Sequence, residues 1–82
     1  MADQLSNHLR IARAELGLTQ ADLAELVCVS RKTINTVENG VFIPSTVLAL
    51  KLAKALNKSV EQLFALTPIP ELISTPIKAF SN

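Results

Sequence analysis

Tryptophan and tyrosine are absent from this chain, and three phenylalanines are its whole aromatic complement. With 49% hydrophobic residues in a chain of 82, the core must be built from Leu, Ile, Val and Ala. Glycine is scarce, at two residues, and no segment alternates apolar and polar like a half-buried strand, so an all-α protein is expected. The single cysteine, Cys28, cannot close an internal disulfide, and neither it nor the lone His8 has the neighbours of a zinc site. No apolar run nears the ~18–20 residues of a membrane span, and no signal-peptide pattern opens the chain. The expectation is a soluble, cytoplasmic protein with no membrane partner. A nucleophile–base pair, a phosphate-binding glycine loop and a metal cluster are also missing, so neither an enzyme nor a cofactor or small-molecule ligand is expected. An excess of one charge is missing too. Eight Lys/Arg against seven Asp/Glu leave a net +1, so any nucleic-acid role must rest on where the charges lie.

What is present suits one small domain, a size that buries only roughly 60–65% of its unfolded surface. Leu5, Leu9, Ala12 and Leu16 recur at helical spacing over residues 4 to 16, and Gly17 ends the run. Thr19 is the N-cap of a second helix, QADLAELV, with Asp22 as its capping-box acid. That helix buries Leu23, Ala24 and Val27 and ends by Cys28, two residues before the next cap, Ser30. Two short helices joined so tightly form a helix-turn-helix unit. Beyond the loop holding Pro44, Ser45 caps a fourth helix with Leu48, Leu52, Ala53 and Leu56 along one side and Lys51, Lys54 and Lys58 outside. Ser59 caps a fifth, VEQLF, with Glu61 in its first turn. Pro68, Pro70 and Pro76 limit any later helix to about one or two turns around Glu71 to Thr75.

The third helix, SRKTINTVENG from cap to stop, is the informative one. Ile34 and Val37 anchor its inner face, while Arg31, Lys32, Asn35 and Thr36 share the opposite side. Cations are unfavourable at a helix start because the dipole is positive there. Their placement beside an anion-ready terminus favours contact with DNA over a merely solvated face.

LTQADLAELVCVSRKTINTVENG and its continuation PSTVLALKLAKALNKSVEQLF resemble the lambdoid repressor and Cro family, also called the Xre family. Residues 5 to 64 carry the likeness, which is strongest to short single-domain members with a VSRxTINxxE and PSxxLALKxA pattern. The resemblance implies a compact five-helix, lambda-repressor-like DNA-binding domain whose third helix enters the major groove of double-stranded DNA. By position, Arg31, Lys32 and Thr36 fall where relatives touch base edges, with Ser30, Thr33 and Asn35 beside them. Gln20 matches a residue that binds a phosphate and braces the recognition helix. Arg10, Thr19 and Asn39 are further phosphate candidates. Arg13 and Glu38 match a partly buried ion pair. Arg reads guanine O6 and N7, and Lys32 offers a phosphate contact as the alternative.

Two departures stand out. Cys28, expected as a small packed residue, takes the turn position where relatives have Gly, at a cost on the order of 1 kcal/mol for a left-handed backbone. Val41-Phe42-Ile43 is apolar where relatives place cations, leaving only backbone N–H groups for a phosphate. The domain is expected over residues 1–66, with 67–82 a Pro-containing tail. Phe42, Phe64, Leu66, Ile69, Leu72 and Ile73 need burial, either by that tail folding back or at the contact of a homodimer. Two functions fit: a homodimeric repressor reading a palindromic operator, or a protein-partner-binding module of the same fold, an antitoxin or bridging coactivator.

Overall fold

The computed structural model describes residues 4–67. In chain order these form β1 (Gln4–Asn7), α1 (Leu9–Glu15), α2 (Gln20–Val27), α3 (Arg31–Glu38), α4 (Thr46–Leu56), α5 (Val60–Leu63) and β2 (Phe64–Thr67). Five helices therefore stand in the expected order, and a short two-stranded sheet joins the two ends of the described segment.

Side-chain caps explain where four helices begin. Thr19, Ser30, Ser45 and Ser59 each adopt an extended backbone and accept from the amide three residues on. Each such cap satisfies a donor that the helix leaves free and contributes about 1 kcal/mol. Thr19 and Asp22 complete a reciprocal capping box. So do Ser59 and Gln62, so the partner of this cap is Gln62, with Glu61 also in the first turn. The N–H and hydroxyl of Thr19 hold the Asp22 carboxyl below its ordinary value by hydrogen bonding to the ionised form.

The helices enclose one core. Leu9, Leu23, Ile34 and Leu52 lose all solvent contact, and Val27, Val37, Leu56 and Leu63 nearly so. Full burial of an aliphatic side chain contributes about 1.5–3 kcal/mol. Leu48, Leu52, Ala53 and Leu56 are all buried, so the fourth helix presents the face that its spacing indicates.

Three expectations need correction. The chain is not all-α, because residues 4–7 pair antiparallel with 64–67, from Gln4 opposite Thr67 to Asn7 opposite Phe64. The first helix consequently starts at Leu9 and not at Gln4. Leu5 still packs on the core, but from a strand, so its i, i+4 match to Leu9 was fortuitous. The strand's partner lies about sixty residues away, which no local pattern reveals. Leu16, the last member of the apparent stripe, closes the helix and is exposed. Phe64 is the third. It leaves the fifth helix for an extended backbone and is buried in the core, which removes it from the candidate contacts between copies. β2 ends at Thr67, so the expected boundary after Leu66 falls within a strand. Ile69, Leu72, Ile73 and the short helix expected around residues 71–75 lie outside the described residues.

Candidate nucleic-acid interface

Only Cys28, Val29 and Ser30 separate α2 from α3. Cys28 makes the turn in the left-handed region at φ 61° and ψ 44°, as its glycine-like position requires. The Val29 amide then donates back to the Ala24 carbonyl at 3.0 Å, closing the end of α2. The Cys28 side chain is exposed and not packed as expected. With Ile34 and Val37 buried beneath it, α3 is fixed by its inner face and presents Arg31, Lys32 and Asn35 to solvent.

A polar network holds the flank of α3. Arg13 forks onto Glu38 through Nε at 2.8 Å and Nη2 at 3.3 Å, and its Nη1 donates to the Leu18 carbonyl at 2.8 Å. The Glu38 side chain is 1% exposed and that of Arg13 15%. Burial pushes the Glu38 carboxyl toward a higher pKa. The hydrogen bonds from Arg13 and Gln20, with the charges of Arg13 and Arg10, outweigh it and hold the group below its ordinary value. The expected ion pair of the first and third helices is thus in place. Arg10 is largely exposed, with Nε 3.8 Å from Glu38 Oε1, so its guanidinium stays near the network and open to solvent.

Gln20 joins this network. Its Nε2 donates to Glu38 Oε1 at 3.0 Å and to Asn35 Oδ1 at 3.2 Å. The side chain braces α3 as the resemblance implies, but both of its N–H groups are occupied. A phosphate at the start of α2 would meet the backbone N–H of the first turn, because the Thr19 hydroxyl is engaged with Asp22.

Other candidates on α3 have restricted chemistry. The Thr36 hydroxyl donates to the Thr33 carbonyl at 2.9 Å, which leaves an acceptor lone pair and a methyl group for a base edge. Ser30 Oγ lies 3.0 Å from Thr33 Oγ1, so these two hydroxyls share one hydrogen bond. Asn39 caps the C-terminus of α3 and is exposed. In the following loop the amides of Val41 and Phe42 both donate to the Thr36 carbonyl, at 2.9 and 3.2 Å. Those two N–H groups are therefore closed to a phosphate, contrary to the fallback expected for this loop. Phe42 and Leu66 remain exposed.

Asn7, which the sequence does not mark as a candidate, also holds α3. Its Oδ1 accepts from Leu9 N at 3.1 Å, and its Nδ2 donates to the carbonyls of Val37 at 3.0 Å and Glu38 at 3.4 Å. One side chain thus closes the start of α1 and ties it to the end of α3. Within the apparent helical run from residue 4, Asn7 reads as an ordinary polar position, so the pattern gives no sign of this role. Among the described residues no group of three His, Cys, Asp or Glu could hold a metal ion, and no helix is long and apolar enough to cross a membrane.

Comparison with known proteins agrees with this geometry. The profile of the helix-turn-helix family HTH_3 matches residues 9–63. An uncharacterised helix-turn-helix transcriptional regulator of Methanothermobacter thermautotrophicus is 48% identical over 59 residues, covering 71% of this chain and 86% of its own length. Another, YgzD of Bacillus subtilis, is 39% identical over 60 residues, covering 73% and 91%. Among solved structures, the restriction-modification controller protein C.AhdI from Aeromonas hydrophila superposes with a TM-score of 0.63 at 39% identity, over 66% of this chain and 82% of that one. A putative DNA-binding protein from Bacteroides fragilis gives 0.69 at 29% identity, over 76% and 100%.

Proposed function

The chain belongs to the helix-turn-helix family HTH_3, and from that premise we propose that it is a homodimeric repressor reading a palindromic operator through α3. It is a DNA-binding transcriptional regulator, as its relatives are named. The observation that carries the reading is the division of α3 into two faces. Ile34, Val37 and the Glu38 network fix it to the domain, while Arg31, Lys32 and Asn35 are exposed on the outside. Arg31 is suited to guanine and Lys32 to phosphate, so one gives specificity and the other affinity.

The dimer follows from the size of the reader. One helix of eight residues makes few base contacts, whereas two related by a dyad meet half-sites ~34–36 Å apart. Exposed Phe42 and Leu66 are the described candidates for the contact between copies. The site of action is the cytoplasm, on DNA.

The exposed run Val41-Phe42-Ile43 favours a second reading, a partner-binding module such as an antitoxin or bridging coactivator. Binding to the DNA upstream of the protein's own gene, followed across a range of salt, separates the two. The repressor reading expects binding that weakens steeply with salt, and a weaker complex with a slope shallower by about 1, for the phosphate contact of Lys32, when Arg31→Ala and Lys32→Ala are combined. Absent or salt-insensitive binding, with a tight protein partner instead, replaces it with the second.

A further inference from the structure

We propose that Asn35 is a specificity-determining residue that reads an acceptor-only base edge, guanine O6 and N7, because a relay from Arg13 through Glu38 and Gln20 turns its amide nitrogen outward. The assignment rests on the DNA-reading role of α3 and adds a direction to one of its side chains.

The relay runs on donor and acceptor parity. Arg13 can only donate, and its fork takes both oxygens of Glu38. The carboxylate, ionised in this setting, can only accept. Gln20 lies against Glu38 Oε1 at 3.0 Å and must therefore present its NH2 group there and not its carbonyl. That nitrogen carries a second proton, directed to Asn35 at 3.2 Å. Asn35 must answer with an acceptor, so Oδ1 faces inward. Each amide has two ends that are nearly alike in shape, and the charge of Glu38 decides which end points where.

Asn35 is exposed on the outer side of α3, four residues and about one turn from Arg31. With Oδ1 committed to Gln20, the end left for the groove is Nδ2, bearing two donors. The usual pairing of Asn with adenine needs an oxygen to accept from N6 and a nitrogen to donate to N7. An Asn held by its oxygen lacks the first half of that pair. Cytosine presents its N4 donor and meets donor with donor. Guanine presents two acceptors side by side, and thymine presents one beside a methyl group, so guanine satisfies both protons of Nδ2. A backbone phosphate offers acceptors as well but gives no base preference.

Two measurements test this. In the free protein, side-chain amide NMR should show the Gln20 NH2 protons protected from solvent exchange and those of Asn35 exchanging freely. The reverse pattern overturns the relay without reference to DNA. The second is selection of binding sites from a randomised duplex library by the full chain and its variants. The expected result is a half-site position with a preference for guanine. That preference falls roughly tenfold in Asn35→Ala and relaxes toward adenine in Gln20→Met, while the other positions keep theirs. Gln20→Met leaves the Arg13–Glu38 fork intact, and its thermal melt shows whether the fold is preserved. Asn35→Asp should exchange the preference for cytosine. Uniform weakening across all sites in Asn35→Ala assigns the residue to a phosphate and overturns the proposal. An unchanged preference in Gln20→Met overturns the relay. Selection that enriches no sequence removes the DNA reading itself, and the assignment with it.

Discussion

Asn7 Nδ2 donates to the carbonyl oxygen of Val37 at 3.0 Å across thirty residues of sequence. The same side chain accepts from Leu9 N, so one amide ties the start of α1 to the end of α3. The Val37 carbonyl also accepts from Gly40 N at 3.1 Å, so Asn7 gives it a second donor and reaches the Glu38 carbonyl at 3.4 Å. Replacing Asn7 by Ala is expected to destabilise the fold by about 1–2 kcal/mol. Asn7→Asp should cost more, because a carboxylate keeps the cap on Leu9 but faces two carbonyls with no proton to give. Urea unfolding of the three proteins gives the ranking, and an Asp variant as stable as the parent refutes the tie to α3.

Arg13 and Glu38 make a pair in which neither partner is tolerable alone. Arg13→Met leaves the Glu38 carboxylate buried with only Gln20 close and Arg10 at a distance, and the expected loss is about 3–5 kcal/mol. Converting both residues to Met removes the stranded charge and should restore a good part of the loss. A double variant no more stable than Arg13→Met contradicts this account.

Acid exposes the same group. The Glu38 carboxyl titrates below its ordinary value of 4.5 in the folded chain, so unfolding raises its proton affinity. A depressed folded pKa gives stability that is fully present above 4.5 and is lost as pH falls from there through the folded value. Unfolding free energy should therefore drop more steeply between about pH 5 and pH 3 in the parent than in Glu38→Gln, which has no proton to gain at that site. Equal slopes would locate the acid sensitivity elsewhere, with Asp22 the next group to examine because its carboxyl is also held low.

Cys28 holds its left-handed conformation without a glycine. Cys28→Val keeps an apolar side chain but adds a branch at Cβ, and is expected to lower stability by about 1 kcal/mol or more. Cys28→Gly should not, since relief of strain offsets the greater freedom of the unfolded chain. Thermal melts under reducing conditions make the comparison, and a harmless Val would show that the turn is not strained.

Much of the architecture was legible locally. Thr19, Ser30, Ser45 and Ser59 announce helix starts because a hydroxyl can accept from an amide three residues on. The buried faces of α2, α3 and α4 follow from period 3.6, which a one-dimensional pattern records in full. The outward set Arg31, Lys32 and Asn35 follows in turn, as the complement of Ile34 and Val37.

The sequence by itself thus determined the helical order, the core faces, the turn at Cys28 and the outward face of α3. Each depends on residues within about one or two turns of one another. Only the tertiary structure decided the rest. Strand pairing between residues 4–7 and 64–67 removes Phe64 from the surface and shortens the first helix. Asn7 reaches Val37, and Gln20 turns the Asn35 amide. These features share one physical cause. A hydrogen bond between groups distant in the chain is fixed by where the packed helices bring donor and acceptor together. The same amide or hydroxyl reads identically in sequence whichever partner it finds.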